Sequence, residues 1–383
     1  MSGPVLAVDI GGTKLAAALV DSGGSGGSGG EVRRARRVAT PPGGDAPALW
    51  RTLVELIDSV LDGSAAEGVG VGCGGPMSWP EGVVSPLNIP GWRGFPLRAG
   101  LVERFPGVPV RIHNDAVCVA VAEHWRGAGR SSANMLGMVV STGVGGGLVL
   151  GDRLIHGGSG NAGHIGHIVV EPGGPVCGCG GRGCLEAIAR GPALAAWALE
   201  QGWTPGAAAP PADAVSGTAA VPRDKPMSPG AGVDKEAGAG TVAGDALPGG
   251  ETVHPPFHAA PSRGVPSRYV EEAAASGRQL ALDAGAGDEI ALAAMRRAGR
   301  ALGLAIASAV NLCDLDAVTI GGGLSQAGPL LFDPLRATLR DHTRMEFARR
   351  VRVVPAALGQ DAGLVGAAAL LLAADRYWPS EFR

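Results

Sequence analysis

Short apolar runs closed by glycine turns, alternating with longer stretches of apolar residues at helical spacing, make up most of this chain. The first run, residues 5–8, ends on Asp9 and enters the turn Gly11-Gly12-Thr13-Lys14; apolar positions resume over 15–20, and a third strand follows over 31–40. Strand, tight turn, strand predicts a hairpin. A hairpin is neither a Rossmann turn, which needs a helix after the strand, nor a P-loop, whose glycine and lysine spacing is absent here. The same unit recurs at 138–150, where an apolar run meets Thr142-Gly143-Val144-Gly145-Gly146-Gly147 and a second apolar run leaves it. A third glycine turn, Gly321-Gly322-Gly323, closes the apolar run 317–320. Helical periodicity predicts helices over 50–61, 116–125, 191–203, 290–309, 330–342 and 363–374. Strands are predicted over 68–72, 108–113 and 351–355. Two hairpins of one design in two halves predict an α/β protein of two duplicated lobes facing each other across a nucleotide.

Composition changes the picture at one place. From 204 to 276 Ala, Gly and Pro dominate, and between 205 and 267 Phe257 is the only aromatic residue. Such a stretch buries too little apolar surface to offset its ordering entropy, so it reads as a disordered insertion; the Gly/Ser segment 22–30 reads as a flexible loop. The chain has 383 residues, 17% of them charged, and a formal net charge of −3. That length accommodates two domains, and that balance gives no electrostatic footprint for nucleic acid or an anionic membrane. The longest apolar run, 364–374, is short of the roughly 20 residues a membrane span needs, and the first residues carry no signal-peptide pattern. A cytoplasmic location is expected.

Candidate chemistry concentrates between Gly157 and Glu186. There His167, Cys177, Cys179 and Cys184 have metal-site spacing: three thiolates and an imidazole, a set that suits a closed tetrahedral Zn²⁺. The other three of the six cysteines, Cys73, Cys118 and Cys313, are scattered, which fits a reducing compartment with one metal site better than a disulfide framework. His164 and Glu186 lie in the same stretch, where a metal-pinned loop can hold them against a ligand. The glycine hairpin presents backbone N–H groups suited to phosphate, with Lys14 close by, and Asp9 can hold Mg²⁺ through water. Asn114-Asp115 closes a strand and opens a helix. Either residue is a good N-cap, and the positive dipole end is expected to keep an Asp115 carboxylate ionised, as a general base must be. Arg33, Arg34, Arg36 and Arg37 read as a charged strand face, with a polyphosphate donor as the alternative.

With these pieces in place, the chain resembles the ROK family of sugar kinases and sugar-responsive repressors, within the hexokinase–actin–heat-shock ATPase superfamily. The resemblance covers the chain apart from the Gly/Ser loop and the 204–276 insertion. It rests on DIGGTK at Asp9, ND at Asn114, STGVGGG at Ser141, and GNAGHIGH running into CGCGGRGCLE. It implies two actin-like (ribonuclease H-like) lobes: residues 1–114, completed by a C-terminal helix over 361–378, and residues 115–360, which carry the zinc loop 164–186 and the insertion. It implies an ATP-dependent kinase with Mg²⁺, a structural Zn²⁺ and a hexose acceptor, glucose in the first reading, and a homodimer. By motif match Asp115 is the general base. Asn88, Asn114, His164, His167 and Glu186 contact the sugar, and His167 is also a zinc ligand. Asp9, Gly11, Gly12, Thr13, Lys14, Thr142 and Gly143 hold the phosphates and metal, and Gly321, Gly322 and Gly323 lie near the adenosine. Two positions depart from the family pattern. His164 stands where the family carries Glu, which brings in another hexose or an N-acetylated amino sugar as the alternative acceptor. Gly74-Gly75-Pro76-Met77 replaces Gly-x-Pro-Gly. A repressor would need an N-terminal winged helix, for which the strand at Val5 leaves no room, and a non-catalytic sensor is disfavoured by the intact Asp115 and phosphate turns.

Overall fold

The structure is a computed structural model that describes residues 3–23, 29–207 and 277–379. All but the first four residues of the 204–276 insertion, and the centre of the Gly/Ser loop, lie outside the described residues.

Two five-stranded mixed sheets carry the fold. In the first, β1 (Val5–Ile10), β2 (Lys14–Val20), β3 (Val32–Ala39), β4 (Val69–Cys73) and β7 (Val110–Asn114) are ordered β3-β2-β1-β4-β7. In the second, β8 (Met135–Val140), β9 (Val144–Leu150), β10 (Arg153–Leu154), β11 (Ala317–Gly321) and β12 (Arg352–Pro355) are ordered β10-β9-β8-β11-β12. Each sheet has two antiparallel pairings on one side of its first strand and two parallel pairings on the other. The repeated hairpin seen in the sequence is therefore a repeated sheet. A small pair, β5 (Met77–Ser78) and β6 (Val83–Val84), lies in the Gly/Pro-rich loop that periodicity leaves unassigned.

The helices are α1 (Ala46–Leu61), α2 (Leu97–Arg104), α3 (Asp115–Trp125), α4 (Leu185–Ala189), α5 (Gly191–Glu200), α6 (277–285), α7 (Glu289–Cys313), α8 (Pro329–His342), α9 (Glu346–Arg349), α10 (Ala362–Leu372) and α11 (Ala374–Tyr377). Helix α1 starts four residues before the predicted 50, because Asp45 caps it by accepting from Ala48 N–H and Pro47 fits the first turn. Its buried face, Leu49, Leu53, Leu56, Ile57 and Val60, joins the core of the first sheet. Helix α2 went unpredicted: only Leu97 and Leu101 are buried, too few for a periodic signal. Helices α7 and α8 cover the second sheet, with Gly299 and Gly303 letting α8 approach closely.

One helix pair ties the sheets together. Helix α10 is apolar all round because it is buried all round, from Ala362 to Leu371. It packs on α3, β1 and β4, and α3 packs in turn on β8 and β9. Small residues set these contacts. A Cβ on Gly366 would fall 1.7 Å from Cys118 O, and one on Gly137 2.4 Å from Ala120 Cβ. The arginine strand is accounted for locally. Arg34 and Arg36 donate to Leu61 O and Ser59 O near the end of α1, Arg33 pairs with Asp21, and Arg37 with Asp361. As the sheet's edge strand, β3 thus carries charge where an unpaired edge needs it.

Candidate active site

Parallel strands bring their carboxyl ends to one edge, and ligands in such sheets sit beyond that edge. Beyond β1 lies the turn Gly11–Lys14, closed by Gly11 N–H to Lys14 O (3.0 Å) and braced by the Thr40 hydroxyl donating to Gly11 O (2.7 Å). Thr13 and Lys14 are exposed. The Asn88 side chain lies over Gly12, where an added Cβ would meet it at 2.7 Å, and reaches toward Gly74. Beyond β8 lies the turn Ser141–Gly143, closed by Ser141 N–H to Gly143 O (2.8 Å). The Gly321–Gly323 turn ends the adjacent β11. Gly322 has φ 90° and sits so near Val140 that a Cβ would lie 2.4 Å from its carbonyl oxygen. Only glycine fits both demands. The structure thus brings the two predicted glycine turns of the second sheet side by side.

Asn114 and Asp115 follow β7, and the structure divides their roles. Asn114 is the cap: its Oδ1 accepts from Ala116 N–H (3.0 Å) and Val117 N–H (3.4 Å). Its other end, Nδ2, faces Gly75, where a Cβ would lie 3.1 Å away. Asp115 Oδ1 accepts from Ala116 N–H (2.8 Å). The helix start is one of two opposing influences on its charge. Burial is the largest influence and pushes the Asp115 carboxyl up from its ordinary value, with backbone N–H bonds opposing. Asp9 lies close to Asp115 and against Gly363 at the start of α10. Burial first, then the charge of Asp115, raise Asp9 to about 7, while Lys14 and Arg37 pull the other way. A buried carboxyl under the charge of a second one, beside a glycine turn, could hold a divalent cation.

The segment after β10 supplies the other wall. His164 lies beside Gly75, and its Nε2 is buried without a hydrogen-bond partner. Burial lowers its basicity, His167 lowers it further, and Glu186 opposes. The rings of His164 and His167 stack at 6.0 Å. Glu186, on α4, accepts from Val144 N–H (2.9 Å) and so braces the Ser141–Gly143 turn, and its charge acts on His164. His167, Cys177, Cys179 and Cys184 converge, their ligand atoms all within 4.8 Å of one another. Cys179 Sγ and Cys184 Sγ are 3.8 Å apart, and His167 Nδ1 is 3.7 Å from Cys177 Sγ. Sulfurs at ~2.3 Å from a tetrahedral Zn²⁺ lie ~3.8 Å apart, so the donor set and its spacing fit that ion. His167 turns Nδ1 to the cysteines. Residues that sequence reasoning missed lie behind this wall. Trp79, His113 and His156 form an aromatic cluster, and the signal that could have pointed to it is His113 immediately before the Asn-Asp pair.

Glycine turns at the strand ends of both sheets and a buried aspartate at a helix start fit the frame of a sugar phosphotransferase. The ROK family model matches residues 5–374, and the chain belongs to the ROK family. It is 31% identical over 372 residues to the glucokinase of Thermotoga maritima, covering 96% of each chain. It is 42% identical over 194 residues to the N-acetylmannosamine kinase of Citrobacter koseri, half of this chain and 63% of that one. The crystal structure of a ROK family glucokinase from Streptomyces griseus in complex with glucose and AMPPNP superposes with a TM-score of 0.68 at 28% identity, covering 96% of this chain and 99% of that one. Among the described residues no helix is long and apolar enough to cross a membrane.

Proposed function

We propose that this protein is an ATP-dependent kinase that phosphorylates a hydroxyl of an N-acetylated amino sugar, with Asp115 as the general base. The observation that carries the acceptor class is the buried, unpartnered Nε2 of His164. A carboxylate there could only accept hydrogen bonds, as from vicinal sugar hydroxyls. A neutral imidazole with Nε2–H donates one, and an acetamido carbonyl is an acceptor. The stretch of higher identity to an N-acetylmannosamine kinase supports the same class. Glucose is the second reading, supported by the glucokinase relative matched along its whole length.

In this reading the two lobes divide at Asn114, with the C-terminal helix returning to the first. The turns at Gly11–Lys14 and Thr142–Gly143 hold the phosphates, Gly321–Gly323 lies by the adenosine, and Asn88, Asn114, His164, His167 and Glu186 surround the sugar. Phosphoryl transfer asks the protein mainly for positioning and charge stabilisation. Asp115 Oδ2 takes the proton of the attacking hydroxyl, and Lys14 balances phosphate charge. Asp9, beside Asp115, would hold Mg²⁺, which supplies charge neutralisation at the phosphates. Zn²⁺ on His167, Cys177, Cys179 and Cys184 would have no open position and would fix the sugar loop.

An ADP-release screen of N-acetylmannosamine, N-acetylglucosamine, glucose and mannose with ATP tests the acceptor. A kcat/KM for an N-acetylated sugar at least about ten-fold above that for glucose is expected, the worth of one well-placed hydrogen bond. The reverse order would establish the glucose reading, and His164→Glu is expected to move the preference toward glucose.

A further inference from the structure

His113 is completely buried at the end of β7, one residue before Asn114. Its Nδ1 accepts the Asn114 backbone N–H (2.9 Å), so that nitrogen carries no proton and the neutral ring bears its hydrogen on Nε2. His113 Nε2 is 3.1 Å from His156 Nδ1. The first ring must donate and the second accept, which places the His156 proton on Nε2 as well. Burial keeps both rings from taking a second proton, holding His113 at about 3 and His156 at about 4. One backbone bond thus fixes the tautomers of two rings in series.

The second ring starts the segment that carries the acceptor wall. His156 O accepts from Ala162 N–H (3.1 Å), closing a loop that runs directly into His164. The His156 ring stacks on Trp79, centroids 4.6 Å apart and planes 22° off parallel. The backbone of the same loop rests on Trp79: a Cβ on Gly160 would fall 2.2 Å from Trp79 Cβ. Asn161 Nδ2 donates to Met77 O (3.4 Å). Three chain segments meet here: the strand end that presents Asp115, the 75–79 loop of the first half, and the 156–164 loop of the second.

We propose that the His113–His156 pair is a positioning device, in which the imidazole–imidazole hydrogen bond sets the 156–164 acceptor loop relative to the backbone that carries Asp115. The inference rests on the reading of His164 and Asp115 as the acceptor side of the site. It assigns roles to two residues that touch neither substrate. The competing account is that the rings only fill space behind the wall.

Two variants separate these accounts. His156→Phe keeps the ring and its stacking but leaves His113 Nε2–H without an acceptor. His156→Asn loses the ring but can place Oδ1 near the site of Nδ1. We expect His156→Phe to raise the acceptor KM and lower kcat, together about ten-fold or more in kcat/KM, with KM for ATP and sugar-independent ATP hydrolysis unchanged. His156→Asn should recover part of that loss. Wild-type acceptor kinetics in the Phe variant, or an Asn variant more impaired than Phe, would establish space filling and overturn the proposal. Nitrogen-15 histidine spectra of the wild type give a readout free of turnover: both rings should appear neutral with Nδ1 unprotonated, and an Nδ1–H form of either would refute the pair. A wild type with no sugar-stimulated turnover would reject the functional reading instead, whatever the spectra show.

Discussion

Asp115 combines two demands that oppose each other. As the proposed base it must reach a substrate hydroxyl from a buried position, and it must be ionised to take the proton. Burial raises its carboxyl, while the N–H of Ala116 at 2.8 Å holds the charged form. Asp115→Asn keeps size and hydrogen bonding but removes the base. Turnover is expected to fall by ~10²–10⁴-fold, with acceptor affinity changed far less. Because the base works only when deprotonated, wild-type kcat should fall on acidification through a carboxyl that titrates above the ordinary aspartate range. Residual turnover in Asp115→Asn should lack that acid limb. Near-wild-type turnover in folded Asp115→Asn protein would leave Asp115 a structural residue. Asp9 gives a second pH signature. Raised to about 7, it is mostly protonated below that value, and a cation bound there in the proposed site would displace the proton. Calorimetry of Mg·ATP binding in buffers of different ionisation enthalpy should show a proton released near pH 6 and none near pH 8.5, beyond that from the nucleotide itself. The sign for stability runs the same way. A carboxyl raised on folding contributes stability at low pH that is lost as pH climbs from the ordinary aspartate value of 3.8 to about 7.

Among the elements, the α3–α10 crossing and the cysteine loop hold the site in different ways. At the crossing there is no room for a side chain, since a Cβ on Gly366 would overlap Cys118 O, and where α10 meets β4 a Cβ on Gly70 would overlap Ala367 O at 2.0 Å. Gly366→Val must push α10 away from the helix that begins with Asp115. A loss of about 3 kcal/mol or more is expected, since overpacking of a rigid backbone contact has no rotamer to relieve it. A thermal melt matching the wild type would show that the crossing is looser. In the proposed zinc site the cysteine loop would depend on its ion. One Zn²⁺ per chain is expected by metal analysis. Cys179→Ala should lose it, with a raised acceptor KM and a smaller change in KM for ATP, because the ligand set adjoins His164 and not the Gly11 turn. Full acceptor affinity in zinc-free Cys179→Ala protein would separate the loop from the sugar.

At the scale of the whole molecule, the long insertion leaves and re-enters at one place. Trp203 Nε1–H and Gly206 N–H both donate to Asp283 Oδ2 (3.0 and 2.8 Å), and a Cβ on Gly277 would lie 3.1 Å from Gly191 Cα. The described ends on either side of 208–276 are thus clasped by Asp283, which is 2% exposed. Replacing 208–276 with a short linker should leave turnover and melting temperature unchanged, and a large loss of activity would show that the segment takes part in the site. Asp283→Ala, by contrast, should lower stability, because it strands the buried Trp203 indole donor.

The repeated strand–glycine–strand unit by itself determined the duplicated sheets, since a short continuous apolar run closed by glycines has few other ways to satisfy its backbone. The cysteine spacing determined a candidate metal centre because its four ligands are local in the chain. The Asn-Asp pair marked a helix start for the same reason, although only the structure made Asn114 the cap and showed how deeply Asp115 is buried. Helix α2 and the β5–β6 pair left no periodic trace, their few buried residues being chosen by distant partners. The Gly366 contact, the bond from Glu186 to the phosphate turn and the His113–His156 pair join residues 42 to 248 positions apart, counted as 186 minus 144 and 366 minus 118. No local pattern encodes such contacts, because the free energy that fixes them comes from packing surfaces that meet only after both sheets have formed.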